Sequence, residues 1–153
     1  MVKAHFSYAT PEQAAVLSEI AIQSKGYWGY SAKQLEVWRS DLAIQPEYIE
    51  SNWVRTIWSM DALVGFYALV RTGEVYVLDH LWILPRAIGC GLGKQAFLRI
   101  KQDFIELGAV AFTIISDPNA EAFYLRLGCI RVGEVPSEPQ NRLLPKLIYR
   151  LAL

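Results

Sequence analysis

The feature that most constrains this sequence is a glycine-rich loop that joins an apolar strand to an amphipathic helix within residues 78–100. The strand ends at Pro85, a short turn follows, and Gly89, Gly91 and Gly93 then lead straight into the helix. Because glycine has no side chain, the backbone of this loop can come close to a ligand. The free N–H groups of the loop and the positive end of the helix dipole meet at the same place. We therefore predict a binding site for a phosphate or pyrophosphate group here.

Length and composition indicate a compact protein. The 153 residues predict a single domain over positions 1–153. A chain that is 53% hydrophobic and 20% charged can form a core and is not disordered. Its formal net charge of zero provides no general attraction to nucleic acid or membranes, so we expect neither as a partner. Charges interrupt the longest apolar runs, which argues against a membrane span.

The two cysteines, Cys90 and Cys129, fit neither a disulfide framework nor a metal site, and we expect no metal. Two thiols in a sequence without a signal peptide are typical of the reducing cytoplasm, where we place the protein. Cys90 lies at a helix start, where the pKa of a thiol falls. A nucleophilic cysteine needs a base within reach, and the sequence offers only His5 and His80, so we interpret Cys90 as a small loop residue.

The hydrophobic periodicity predicts a mixed α/β fold. Residues 74–84 are too apolar on both faces for an edge strand, and residues 110–115 read as a second interior strand parallel to it. The helix between them buries a stripe formed by Leu92, Ala96, Ile100, Phe104 and Leu107. Other strands are predicted at 2–6, 53–60, 63–71, 130–132 and 144–151, and other helices begin near Thr10, Ser31, Pro46 and Asp117. The result is a mostly antiparallel central sheet with a parallel pair around a right-handed βαβ unit and helices on both faces.

Several stretches together resemble the Gcn5-related N-acetyltransferases, the GNAT superfamily. The strand end Trp82-Ile83-Leu84-Pro85 followed by Gly89-Cys90-Gly91-Leu92-Gly93 is similar to motif A of that family. Residues 117–128, with an Asn, a Tyr and a helix-ending Gly, resemble motif B. Residues 144–149 resemble the last strand of many bacterial members, and residues 24–30 resemble a stretch of one bacterial subgroup. The resemblance thus covers nearly the whole chain and implies the GNAT fold.

This resemblance implies acetyl-CoA as the co-substrate and direct attack by an amine, without a covalent intermediate. The pyrophosphate would be held by the backbone amides of Gly89, Gly91, Leu92, Gly93 and Lys94. The backbones of Leu81 and Ile83 would pair with the pantetheine arm, and an N–H near Ile83 would polarise the acetyl carbonyl. Asn119 would contact the cofactor. Where the family has Arg or Gln this chain has Ile88, whose side chain cannot donate a hydrogen bond to a phosphate. Backbone amides would have to bind the phosphate at this position, and Arg86 or Lys94 could add positive charge.

Three side chains are candidates for proton transfer. Tyr124 matches the family tyrosine that protonates the departing thiolate, although a tyrosine packed with Phe123 would look the same in sequence. Asp79 lies in an apolar row, where desolvation would raise its pKa towards that of a general base, but it would also suit a structural ion pair. His80 points the other way and reads as a core residue, unless a bulge in this strand exchanges the faces.

The aromatic stretch at residues 25–30 is where the family covers its acceptor, so the resemblance implies that Trp28 and Tyr30 line the acceptor pocket. The alternative is that they plug the core. The aromatic residues favour a small-molecule amine acceptor, with specificity set by residues 25–30, the Pro46 region and the loop at 136–142. The sequence leaves open whether the domain is a monomer or a homodimer.

Two other functions compete with this interpretation. Residues 91–96 fit the relaxed dinucleotide fingerprint G-x-G-x-x-A, but residues 85–88 separate the loop from its strand, and too little chain follows for a doubly wound sheet. A Walker A loop is excluded, because Gln95 stands where Ser or Thr is required. A non-catalytic acyl-CoA sensor on the same fold is the second alternative, and Ile88 is the residue that suggests it.

Overall fold

The computed structural model describes residues 2–137 and 142–151. Along the chain the elements are β1 (His5–Tyr8), α1 (Ala14–Lys25), α2 (Ala32–Leu42), α3 (Pro46–Ser51), β2 (Trp53–Ser59), β3 (Ala62–Thr72), β4 (Val75–Ile83), α4 (Leu92–Glu106), β5 (Ala111–Ile115), α5 (Glu121–Arg126), β6 (Ile130–Ser137) and β7 (Arg142–Arg150). Short 3-10 helices occupy Pro11–Gln13, Gly26–Trp28, Pro85–Ala87 and Pro118–Ala120. Residues 138–141 of the predicted specificity loop lie outside the described residues.

The strands form a mixed sheet in the order β1-β2-β3-β4-β5-β7-β6. The pairs β1–β2, β2–β3, β5–β7 and β6–β7 are antiparallel, whereas β4 and β5 are parallel with Val77 opposite Thr113. Because α4 connects β4 to β5, these three elements form the predicted βαβ unit. The predicted fold class, a mixed α/β sheet with one parallel pair, is confirmed, as is the interior position of β4.

The first strand differs from its prediction. It was expected at residues 2–6, but β1 starts at His5 and runs to Tyr8, with His5 opposite Trp58 of β2. The reason is a side chain far along the sequence: the N–H of Ala4 donates to Oε1 of Gln95 at 2.8 Å. Residues 2–4 are therefore bound to α4 by a side chain. β6 also extends further than predicted, to Ser137, where it pairs with Arg142 of β7.

The described residues form two compact units, within Met1–Leu69 plus His80–Leu98 and within Val70–Asp79 plus Arg99–Leu153. In the first unit, α1 buries Leu17, Ile20 and Ala21 in a core that includes Phe66. Ser18 fixes α1 to the segment before α3, since its hydroxyl accepts from the N–H of Ile44 at 2.8 Å and donates to the carbonyl of Ala14 at 2.8 Å. The single domain predicted from the length stays a prediction.

The second unit has an aromatic core. The rings of Phe104 and Phe112 stack with centroids 4.3 Å apart, and Phe112 stacks in turn on Tyr149 at 5.5 Å. Tyr76 meets Phe104 edge-on, and its hydroxyl donates to the carbonyl of Leu107 at 3.1 Å. Because Phe104 and Phe112 are fully buried, this stack fixes the end of α4 against β5.

Candidate functional site

The glycine loop leaves β4 through a tight turn. The N–H of Ala87 donates to the carbonyl of Leu84 at 2.9 Å, and the N–H of Ile88 donates to that of Pro85 at 3.2 Å. Gly89 and Gly91 then take φ angles of 89° and 82°, in the left-handed region that favours glycine. The two conformations turn the chain into α4, which begins at Leu92. These two glycines are therefore required by the backbone path of the loop.

This path leaves main-chain donors at the helix start. The first hydrogen bond of α4 runs from the N–H of Gln95 to the carbonyl of Gly91 at 3.2 Å. The N–H groups of Leu92, Gly93 and Lys94 precede it and have no acceptor within the helix. Gly89 is exposed, and no heavy atom lies within 4 Å of the position that its Cβ would take. Together with the helix dipole, this geometry suits a bound anion.

The side chains around the loop supply little specific chemistry. Ile88, which stands where the resemblance expected a hydrogen-bond donor, is 40% exposed. Arg86 and Lys94 are exposed and can contribute positive charge. Upstream, Leu81 and Ile83 are half-buried positions of β4, and the N–H of Leu84 donates to the carbonyl of Val64 at 2.7 Å. A role for Leu81 and Ile83 therefore rests on backbone groups.

His80 lies in an aromatic cluster of the first unit. Its ring is 5.9 Å from that of Tyr48, 5.7 Å from Phe66 and 6.4 Å from Trp82, between centroids. The indole N–H of Trp82 donates to Nδ1 of His80 at 2.9 Å. Since the indole nitrogen can only donate, Nδ1 is the accepting nitrogen and the neutral ring carries its proton on Nε2. His80 is half-buried, which fits the interpretation as a core residue, and its role in catalysis stays a prediction.

Asp79 does not lie in the environment that the sequence predicted. The row of apolar neighbours indicated a desolvated carboxylate, but the side chain is exposed. Alternation along β4 placed Asp79 on one face with Val77 and Leu81, which are half-buried, so the strand pattern alone did not reveal how open that face is at residue 79. The desolvation argument for Asp79 is therefore wrong, and any basic role has to operate in contact with water.

Tyr124 lies in α5 of the second unit and is 7% exposed. Burial is the main reason that its pKa rises above the ordinary value, with a smaller contribution from Cys129. Burial likewise raises the pKa of the Cys129 thiol from 9.0 to about 11. The carbonyl of Tyr124 accepts the N–H of Cys129 at 3.1 Å, which closes the end of the helix. The Tyr124 hydroxyl thus stays protonated throughout the neutral range.

Asn119 has a local partner. Oδ1 of Asp117 accepts both the backbone N–H and the side-chain amide of Asn119, each at 2.9 Å. Asp117 is also 3.7 Å from the guanidinium of Arg142. The predicted cap at Asp117 is confirmed, and Asn119 presents its amide to that cap.

The aromatic residues predicted to line an acceptor pocket differ in their exposure. Trp28 is 39% exposed and meets Tyr27 edge-on at 4.9 Å, so the alternative that it plugs the core is wrong. Tyr30 packs edge-on against the buried Trp38 at 4.7 Å. The ammonium of Lys25 lies 4.7 Å from the Trp38 ring centroid and 5.3 Å from that of Tyr30. These cation–π contacts fix Tyr30 and leave Trp28 facing solvent.

Two residues that contribute to the candidate site, Trp82 and Gln95, were not predicted from the sequence. Trp82 was assigned only to a strand end, although residues 80 and 82 share a face of a strand and so were close enough to pair. Gln95 was noted only as a mismatch to a nucleotide motif, and its partners Val2 and Ala4 lie too far away in sequence for any local pattern to show them. Within residues 2–137 and 142–151, no group of three or more His, Cys, Asp or Glu side chains is arranged to hold a metal ion. Over the same residues, no helix combines the length and apolar character needed to cross a membrane.

The chain was compared with known families. A family model described as "Acetyltransferase (GNAT) domain" matches residues 28–144. This match covers the loop, β4, α4 and the Tyr124 region.

Solved structures give the same result for the fold. A GCN5-related N-acetyltransferase from Rhodopseudomonas palustris, also described as a class-II aminotransferase, is 20% identical with a TM-score of 0.83 over 99% of this chain and 98% of its own. The PaiA N-acetyltransferase from Thermoplasma acidophilum, solved with coenzyme A, is 15% identical with a TM-score of 0.78 over 97% and 99%. The ribosomal-protein-S18-alanine N-acetyltransferase from Escherichia coli is 12% identical with a TM-score of 0.70 over 99% and 96%. At these identities the likeness establishes the fold.

Proposed function

Because this chain belongs to the GNAT family of acetyltransferases, we propose that it transfers an acetyl group from acetyl-CoA to the primary amine of a small molecule. The N-acetyltransferase class follows from the family. The donor, the acceptor class and the direct attack of the amine are the parts that we propose.

The glycine loop carries the proposal for acetyl-CoA. Gly89 and Gly91 hold left-handed conformations, and the N–H groups of Leu92, Gly93 and Lys94, which have no acceptor within the helix, follow at the start of fifteen-residue α4. A diphosphate presents several oxygen acceptors to such a row of donors. This arrangement needs no donor at Ile88. The coenzyme A bound to the T. acidophilum relative is consistent with this donor.

We propose that the transfer occurs in one displacement. The amine nitrogen attacks the acetyl carbon, the carbon–sulfur bond breaks, and the sulfur leaves as a thiolate. The backbones of Leu81 and Ile83 align the pantetheine arm, and an N–H near Ile83 donates to the carbonyl oxygen as negative charge develops there. Asn119 contributes to donor binding once its amide leaves Asp117.

The two candidate bases differ in whether they can accept a proton from the substrate. The carboxylate of Asp79 is an acceptor and is exposed to water, so it can take the proton of the acceptor ammonium directly or through a water molecule. In the neutral ring of His80 the proton is on Nε2, because Nδ1 accepts from Trp82, so neutral His80 is a donor rather than a base at Nδ1. We therefore propose Asp79 as the base and His80 as a hydrogen-bond donor.

Tyr124 is proposed to assist the leaving thiolate. Its raised pKa keeps the hydroxyl protonated at neutral pH, so a donor is always present. Complete loss of that proton would leave a buried phenolate, which the same burial disfavours. We therefore propose that Tyr124 donates a hydrogen bond to the sulfur. The proton that finally neutralises the thiolate comes from the amine.

The acceptor class rests on Trp28. An exposed aromatic residue next to a fixed Tyr30 suits a small molecule with an apolar or aromatic part. The fold does not choose between acceptors, because the E. coli relative is named for a ribosomal protein. We also propose that the protein acts in the cytoplasm, where its free cysteines Cys90 and Cys129 would stay reduced.

Calorimetry with acetyl-CoA and, separately, with NAD tests the donor. We expect saturable binding of acetyl-CoA and none of NAD, and the reverse result would overturn the proposal. An acetyl-CoA turnover screen against small amines and amino-terminal peptides then tests the acceptor. Turnover only on peptides would refute the small-molecule part, and tight CoA binding without turnover on any amine would favour the acyl-CoA sensor.

Two substitutions separate the proposed base from the donor. Asp79→Asn should lower kcat, because the amide cannot take up the proton of the acceptor. His80→Gln keeps an N–H donor and should retain most of the activity. If His80→Gln abolishes activity while Asp79→Asn preserves it, the two roles are reversed.

A further inference from the structure

The side chain of Gln95 links three backbone groups on two segments of the first unit. Its Oε1 accepts the N–H of Ala4 at 2.8 Å, while its Nε2 donates to the carbonyl of Val2 and, at 3.3 Å, to that of Gly91. A carboxamide supplies an acceptor and two donors at one end, whereas a carboxylate only accepts. The surroundings of residue 95 therefore call for Gln, and Glu in its place would face the carbonyls of Val2 and Gly91.

The contact with Gly91 orients one of the amides of the glycine loop. The carbonyl of Gly91 and the N–H of Leu92 belong to the same planar peptide group. Gln95 reaches this carbonyl twice, through its backbone N–H at 3.2 Å and through its side chain at 3.3 Å. Fixing the carbonyl fixes the opposite direction of the Leu92 N–H. Gly91 is in the left-handed region and has no side chain that could fix this peptide plane. The plane is therefore held by the hydrogen bonds from Gln95.

From this geometry we infer that Gln95 is a positioning residue for acetyl-CoA, and that residues 2–4 contribute to donor affinity through it. The inference rests on the proposed function. Gln95 aims the Leu92 N–H at the diphosphate, and the Val2 and Ala4 backbone groups keep the carboxamide in the required orientation. The buried position of Ala4, which is 7% exposed, holds this segment in place.

Gln95→Ala is the direct test, with Gln102→Ala as the matched control on an exposed turn of the same helix. We expect Gln95→Ala to raise the Kd for CoA and the KM for acetyl-CoA by about tenfold or more with kcat unchanged, as expected for one misdirected hydrogen bond to a charged group. Gln102→Ala should leave both constants within about twofold. A fall in kcat with an unchanged KM would overturn the inference, as would equal effects of the two variants.

A second pair of variants tests the same inference in case Gln95→Ala does not fold. Ala4→Pro removes the N–H that Gln95 accepts and also fixes φ at residue 4, whereas Gln95→Glu keeps that acceptor while it loses both donors. We expect each to weaken CoA binding, with the larger effect for Gln95→Glu. CoA affinity equal to that of the unmodified protein in both would refute the role of Gln95. If the unmodified protein itself does not bind CoA, the proposed function fails instead, so the two failures are distinguishable.

Discussion

The conformation of Gly89 makes the sharpest quantitative prediction. Its φ of 89° lies in the region that costs an L-residue about 1–2 kcal/mol. A Cβ at this position would meet no heavy atom within 4 Å, so Gly89→Ala adds conformational strain without a collision. For a chain of this size, that strain corresponds to a fall in Tm of about 2–8 °C if the loop keeps its shape.

To the extent that the unliganded loop relaxes, the strain is transferred from folding stability to donor binding. An unliganded loop with Ala at position 89 can relax to a negative φ, but the state that binds the diphosphate cannot. We therefore expect the Kd for CoA to rise by about five- to thirtyfold, which is the strain expressed as an equilibrium constant. Gly89→Asn should have a smaller effect, because Asn tolerates the left-handed region better than Ala does.

Denaturant unfolding and calorimetry with CoA measure the two effects separately. Gly133→Ala is the control, since Gly133 has no positive φ and its Cβ would also meet nothing within 4 Å. Calorimetry with 3′-dephospho-CoA should show the same loss for Gly89→Ala, which assigns the effect to the diphosphate. If Gly89→Ala changes neither the free energy of unfolding nor the Kd for CoA, this loop does not hold the diphosphate in its left-handed conformation.

Three further predictions concern side chains. Tyr124→Phe should lower kcat by about tenfold or more with the Kd for CoA within twofold, and an unchanged kcat would argue against a hydrogen bond to the leaving sulfur. Burial raises the pKa of Cys129 from 9.0 to about 11, so the folded state holds a proton that the unfolded state loses. The stability from this thiol is complete below pH 9 and is lost as the pH rises towards 11. Denaturant unfolding at pH 8 and pH 10.5 should show a smaller decline for Cys129→Ala, and equal declines would contradict this account. Trp28→Ala should raise the KM for the acceptor and leave that for acetyl-CoA unchanged, whereas Met60→Ala, which also removes an exposed side chain, should change neither.

Local patterns predicted the elements that local physics determines. The stripe Leu92, Ala96, Ile100 and Phe104 is fully buried in α4, because helical periodicity places these residues on one face whatever the partner is. The glycine loop was predicted for a similar reason, since few backbone paths require glycine at alternate positions. The cap at Asp117 and the parallel pair of β4 and β5 also follow from short-range signals.

Features set by distant partners were not accessible from the sequence. The displacement of β1 depends on Gln95, which is 91 positions from Ala4. The exposure of Asp79 depends on what covers one face of β4, and alternation shows only that two faces exist. The pairing of Trp82 with His80 lies between these cases, because their spacing permits the contact while the donor and acceptor assignment requires coordinates.

The bond between Ala4 and Gln95 has a consequence for biosynthesis. During vectorial translation, residues 2–4 emerge from the ribosome long before residue 95 exists, so their native partner is missing for most of synthesis. Bringing together two residues so far apart in sequence has a large cost in chain entropy, so this contact forms late in folding. Residues 2–4 should therefore stay sensitive to protease until α4 has left the exit tunnel, and chains stalled before and well after α4 would show when that sensitivity ends.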